Sequence, residues 1–209
     1  RTPSPMPGPA AAEPLARERA LGALTGLALG DALGMPTQSM SPAQIRRCYG
    51  EITGLRDAVA EQPIAPSAPA GTVTDDTEQA LILAGLLIDG GGRIDPHQLA
   101  DALLRWEDDM RARGSLDLLG PSTKLALERV RAGADPHCTG RQGTTNGAAM
   151  RVAPVGIAFS LSADGDALAR AVQASCLVTH DTRQGFEAAG LLAAAVSAAI
   201  DGVDAAGAV

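Results

Sequence analysis

Apolar positions recur along the chain at helical spacing, and capping residues, prolines and glycines interrupt them. No segment alternates with period two between turn signals, and no repeat of 20–50 residues is present. The spacing predicts helices over residues 15–30, 42–49, 76–89, 96–112, 122–132, 147–160, 166–178 and 183–200. Ser41-Pro42 and Asp95-Pro96 each place a side-chain acceptor before a proline with preset φ, which predicts helix starts. Gly50, Gly90 and Gly133 fall where helices would end.

The two ends differ in character. Residues 1–14 hold five prolines and no signal-like apolar run, so they read as a disordered Pro/Ala-rich leader to a domain over 15–209, and Met6 behind Arg1 offers an alternative start. Ala188 to Ile200 is almost wholly apolar, shorter than the ~20 residues that span a bilayer, and predicts a helix buried on most faces. With so little chain after it, a partner or downstream sequence is expected to cover that helix.

Composition narrows the function classes. The 209 residues carry 24 acidic and 17 basic side chains, a formal charge of −7, which argues against a phosphate-backbone binder. Only four aromatic residues are present, so base stacking and membrane-interface belts are poorly supplied. Cys48, Cys138 and Cys176 are isolated and odd in number, which favours a reduced cytoplasmic compartment over a disulfide framework. A helical monomer without nucleic-acid or membrane partners is the expectation.

Several stretches carry candidate chemistry. Thr74-Asp75-Asp76-Thr77-Glu78 enters an apolar helix; it reads either as a capping box, with Asp75 as N-cap and Glu78 three residues on, or as a hard-metal site of carboxylate and hydroxyl oxygens. Gly26 to Gly34 brackets Asp31 with small residues and lacks a phosphate-loop pattern, so close helix packing with Asp31 bonded internally is expected. Gly143-Thr144-Thr145-Asn146-Gly147 reads as a ligand-cradling loop or a plain N-cap with a tight turn. His180, in Thr179-His180-Asp181, reads first as a helix C-terminal cap. His137-Cys138, after Asp135-Pro136, hints at zinc, but no other paired ligand stands nearby in the sequence.

Taken in order, R-A-L-G-A-L-T-G-L-A-L-G-D-A-L-G (19–34), G-T-V-T-D-D-T-E (71–78), G-P-S-T-K-L-A-L (120–127), T-N-G-A-A-M-R-V-A-P-V-G (145–156) and V-T-H-D-T (178–182) resemble the ADP-ribosylglycohydrolase family, which includes the glycohydrolase that reactivates ADP-ribosylated dinitrogenase reductase. The resemblance covers about residues 17–200. It implies an all-α, compact orthogonal multi-helix bundle with a cleft for two Mg²⁺ (or Mn²⁺) ions, and a hydrolase cleaving a ribosyl glycosidic bond. By that resemblance Thr74, Asp75 and Asp76 are metal ligands, and Asp31, Gln38, Gly143, Asn146, Gly147 and His180 contact substrate. Asp117 matches an acid near the scissile bond and, with Asp76, is the catalytic candidate. The implied substrate is an ADP-ribosylated protein side chain or a smaller ADP-ribosyl or ribosyl compound such as a nucleoside. A non-catalytic binding or structural relative of the same fold, as some lens crystallins resemble, is the alternative.

Two departures stand out. Many relatives carry glutamate where this chain has Gln38, and an amide can hydrogen-bond a sugar hydroxyl but cannot act as a general base. The family's C-terminal G-D-x-D-[TS] segment has no counterpart after residue 182, so the chain reads as C-terminally shortened. Its one D-x-D spacing, Asp164-Gly165-Asp166, reads as a helix-starting turn.

Overall fold

Capping chemistry sets most helix boundaries in the computed structural model, which describes residues 9–114 and 119–203. Among the described residues the elements are α1 (Pro9–Gly34), α2 (Pro42–Tyr49), α3 (Asp75–Asp89), α4 (Pro96–Ala112), α5 (Pro121–Arg131), α6 (Gly147–Met150), α7 (Ala153–Ala158), α8 (Leu161–Cys176) and α9 (Arg183–Ile200), with 3₁₀ turns at Met35–Thr37 and Thr139–Gln142. No strand is present among them. The fold is all-α, and none of these helices is long and apolar enough to cross a membrane.

The predicted caps form. Ser41 makes a reciprocal capping box with Gln44, and Asp95 Oδ1 accepts from His97 N and Gln98 N at the start of α4. Gly50 and Gly133 take positive φ at the helix ends, where a side chain would be strained. α1 starts earlier than predicted, at Pro9, inside the stretch read as a leader. The helix predicted over 147–160 is two pieces, α6 and α7. Pro154 has no N–H to donate and takes a first-turn position of the second piece, so a continuous ladder is impossible there. α8 kinks at Asp164, whose φ of −154° is not helical and whose Oδ1 accepts from Ala167 N at 2.8 Å, so Asp164 caps the longer segment as the turn reading expects.

The core joins α3 and α4 (Leu83, Leu87, Leu99, Leu103, Trp106) to α7, α8 and α9 (Val155, Leu168, Val172, Ala189, Ala193). α9 is buried along one stripe only: Gly185, Ala189, Ala193 and Ser197 recur every four residues, and α7 approaches closely at Ala193. A Cβ on Gly156 of α7 would lie 2.5 Å from the Ala193 carbonyl oxygen. Leu191 and Leu192 on the same helix stay exposed, as does Ile88, at 78%. The expectation of a helix buried on most faces therefore holds for one face among the described residues. The glycines of α1 also depart from expectation, since a Cβ at Gly22, Gly26, Gly30 or Gly34 would meet nothing within 4 Å. They do not mediate helix packing here.

Candidate functional site

The start of α3 is held by a residue from another helix. Asp31, near the end of α1, accepts Thr74 N at 2.8 Å and Thr77 N at 3.2 Å on Oδ2, Thr77 Oγ1 at 2.6 Å on Oδ2, and Thr74 Oγ1 at 2.7 Å on Oδ1. These bonds satisfy backbone donors that a helix start leaves free. The capping box read from the sequence does not form: Thr74 is the N-cap residue, and Asp75 is the first helical residue. Glu78 is drawn away to Trp106 Nε1 at 2.6 Å and to Arg113 at 2.9 and 3.0 Å. Asp31 thus takes over the cap, which leaves Asp75 and Asp76 without that structural duty.

The consequence is a concentration of negative charge. Asp75 is buried, and its carboxyl is raised to about 7, first by burial and then by the charges of Asp76 and, less strongly, Asp31. Asp76 is also raised, by burial and then by Asp31. Groups shifted this way are poorly served by the protein alone and favour a cation between or beside them.

A cleft of about 290 Å³ opens at this point, lined by Gly30, Asp31, Gly34, Gln38, Asp76 and Asn146. The bare glycines of α1 form part of its wall, so a ligand can approach that backbone closely. Gln38 is placed by Gln62, which is buried and donates from Nε2 to Met35 O at 3.0 Å and to Gln38 O at 3.3 Å. Gln38 Oε1 is itself buried with no hydrogen-bond partner. An unpartnered acceptor beside a carboxylate cleft is costly unless something donates to it. A larger cavity of about 380 Å³ lies between Gly92, Phe159 and Arg170, but no carboxylate lines it.

The opposite wall is the loop 143–146, and its supports were not legible from spacing. Ser122 Oγ accepts Thr144 N at 3.1 Å and Thr145 N at 3.3 Å, while Thr182 Oγ1 donates to Gly143 O at 2.8 Å. Asn146 is exposed at the cleft, whereas Gly143 and Gly147 are buried beneath the loop. α6 is a single turn, so little helix dipole backs this loop.

His180 is fully buried, its Nε2 2.9 Å from Thr145 Oγ1 and its Nδ1 2.8 Å from Thr179 Oγ1. Burial, with Arg151 adding to it, lowers its pKa to about 4, so it is neutral at ordinary pH. Through Thr145, His180 supports the 143–146 loop from beneath. Arg151, also fully buried, donates to Gln79 Oε1 at 2.8 Å, to Ser175 O at 3.0 Å and to Thr179 Oγ1. Gln79, Arg151, Thr179, His180 and Thr145 therefore connect α3 to the loop across the core. Asp117 lies outside the described residues.

Gly147 tests this arrangement, because a Cβ there would stand 2.5 Å from His180 Cε1 and the ring is pinned at both nitrogens. Gly147→Ala is expected to cost about 2–3 kcal/mol in urea denaturation. In a His180→Ala background the added cost should fall below about 1 kcal/mol, and an undiminished cost would place the strain elsewhere.

An all-α fold whose acidic helix start faces a Gly/Asn loop across a small cleft defines the class, and the comparisons agree with it. The chain belongs to the ADP-ribosylglycohydrolase family, whose family model matches residues 12–209. It is 36% identical over 185 residues to YegU of Escherichia coli strain K12, covering 88% of this chain and 55% of that protein. It is 33% identical to ADP-ribosylarginine hydrolase Tri1 of Pseudomonas putida, covering 90% of this chain and 48% of that protein. ADP-ribosyl-[dinitrogen reductase] glycohydrolase of Rhodospirillum rubrum is 33% identical over 154 residues, with 69% of this chain and 46% of that protein covered. Among solved structures, an ADP-ribosylglycohydrolase-related protein complex superposes with a TM-score of 0.71 at 32% identity, over 90% of this chain and 58% of that one. The chain thus spans about half the length of the curated relatives it matches.

Proposed function

We propose that this chain forms part of a metal-dependent hydrolase that cleaves a ribosyl glycosidic bond, releasing ADP-ribose from a modified protein side chain or a related ADP-ribosyl compound. The observation that carries the reading is the adjacent acids Asp75, buried, and Asp76, half-buried at the cleft wall, beside the unpartnered Gln38 Oε1. A cleft of about 290 Å³ is near the small end of ligand sites, so it suits a ribosyl unit more than a whole dinucleotide.

The donor set fits a hard divalent cation. Thr74 Oγ1 gives its proton to Asp31 and keeps lone pairs for another partner, and Asp75 and Asp76 add carboxylate oxygens, the ligand type Mg²⁺ and Mn²⁺ prefer. The carboxylates of Asp31, Asp75 and Asp76 do not close into a mutual three-ligand cage, so an ion held here would keep waters or draw further ligands. Bound there, such an ion would supply charge to orient ribose hydroxyls and a water at the anomeric carbon. Gln38 Oε1 accepts from a sugar hydroxyl, and Asn146 fixes the sugar from the loop side. Asp76, whose carboxyl is raised by burial and then by Asp31, and Asp117 are the candidates for moving the proton of that water.

The test is ADP-ribose release from ADP-ribosyl-arginine and ADP-ribosylated protein, and base release from a nucleoside panel, by the full-length gene product with Mg²⁺, Mn²⁺ or EDTA. Metal-dependent ADP-ribose release is expected. Base release from nucleosides alone would favour the ribosyl-hydrolase alternative, and inertness on every substrate would end the enzyme reading. Because Gln38 stands where many relatives have a base, calorimetry with ADP-ribose then separates a binding module from a structural relative.

A further inference from the structure

The chain has three histidines, and His180 is fully buried with both ring nitrogens engaged. The other two sit side by side. His97, in the first turn of α4, and His137, in the turn after α5, have ring centroids 5.3 Å apart at an interplanar angle of 65°. Each belongs to the same tripeptide, Asp95-Pro96-His97 and Asp135-Pro136-His137. The two turns are built alike: Asp95 Oδ1 accepts His97 N at 2.9 Å, and Asp135 Oδ1 accepts His137 N at 3.0 Å. Both backbones are therefore held while both imidazoles stay exposed.

Donor atoms of His97, Asp135 and His137 all lie within 4.8 Å of one another, and His137 Nδ1 is 2.9 Å from Asp135 Oδ1. Ligands at 2.0–2.1 Å from a tetrahedral zinc ion stand about 3.4 Å apart, so exposed side chains on fixed backbones reach that spacing by small rotations. Two imidazole nitrogens and a carboxylate oxygen favour Zn²⁺ and its transition-metal neighbours over Mg²⁺, the reverse of the preference at the acidic cleft. The two sites share no residue. We propose that His97, Asp135 and His137 form a surface site for a zinc-class ion, open at its fourth position, that ties the start of α4 to the turn following α5.

The experiment uses tag-free, metal-stripped protein, with Zn²⁺ affinity read by chelator competition and Co²⁺ read by its visible absorption. One equivalent of Zn²⁺ is expected to bind and to raise the melting temperature by mass action, and Co²⁺ should give the stronger bands of a four- or five-coordinate site. His97→Ala and His137→Ala should each weaken Zn²⁺ by at least about tenfold and remove the thermal shift. The double variant Asp75→Asn, Asp76→Asn should bind Zn²⁺ like the parent. Because both imidazoles are exposed, metal-free melting of the histidine variants should match the parent and exclude misfolding. Zn²⁺ affinity within about threefold of the parent when both histidines are replaced overturns the site. So does loss of Zn²⁺ binding in the aspartate variant alone.

Discussion

Asp75→Asn is expected to make the metal-free protein more stable at pH 8 while reducing hydrolysis at least about a hundredfold. The Asp75 carboxyl is raised from 3.8 to about 7 by burial, then by Asp76 and, less strongly, Asp31. In the unfolded chain it ionises near the lower value, so between the two pH values the folded state holds the extra proton. Stability from this group is therefore greatest near pH 4, declines as pH rises toward 7, and levels off above that. A rise from 3.8 to about 7 sets a ceiling of about 4 kcal/mol on the penalty at pH 8. Asparagine keeps the shape and removes the charge, so denaturation in EDTA at pH 5, 6.5 and 8 should show a flatter profile than the parent. At pH 8, Mg²⁺ or Mn²⁺ should raise the parent's melting temperature and leave that of Asp75→Asn unmoved. Parallel pH profiles with an equal metal response would mean that Asp75 is neither strained nor a ligand.

How far this site could be read from residue order depends on the range of the interaction. Caps at Ser41 and Asp95 are decided within four residues, and both form as the letters suggest. The spacing of Thr74, Asp75, Asp76 and Glu78 fitted a local capping box equally well. What excludes it is a carboxylate from a distant helix, Asp31, which outcompetes the local acceptor because four donors converge on it. The α6–α7 break follows from Pro154 and was available in the sequence, but the apolar periodicity of 147–160 masked it. The i,i+4 glycines of α1 are a different case, since that spacing suits both a tight helix contact and a bare wall; only the packing around α1 decides. His97 and His137 are likewise separate in sequence and meet only because α4 and α5 pack together. Local rules therefore fixed most elements, while the partners of buried polar groups had to come from tertiary structure.

Arg151→Ala is the substitution expected to cost the most stability, about 3–5 kcal/mol by urea denaturation. The guanidinium is fully buried, and burial lowers its pKa to about 10 against the attraction of Cys176 and Asp75, so it stays charged at neutral pH. No carboxylate lies within ion-pair distance of it among the described residues; its partners are Gln79 Oε1, Ser175 O and Thr179 Oγ1. Truncation opens a cavity and strands these acceptors on α3, α8 and the turn before α9. Arg151→Met refills most of the volume without restoring a donor, so it should remain at least about 2 kcal/mol below the parent. Because Thr179 also bonds His180, and His180 bonds Thr145, losing the arginine should loosen the 143–146 loop as well. Amide exchange at residues 144–147 should speed up more in Arg151→Met than exchange in the middle of α4, which shares no bond with this network. If Arg151→Met instead matches the parent in stability and loop protection, the residue is a packing element, and the two walls of the cleft are positioned independently.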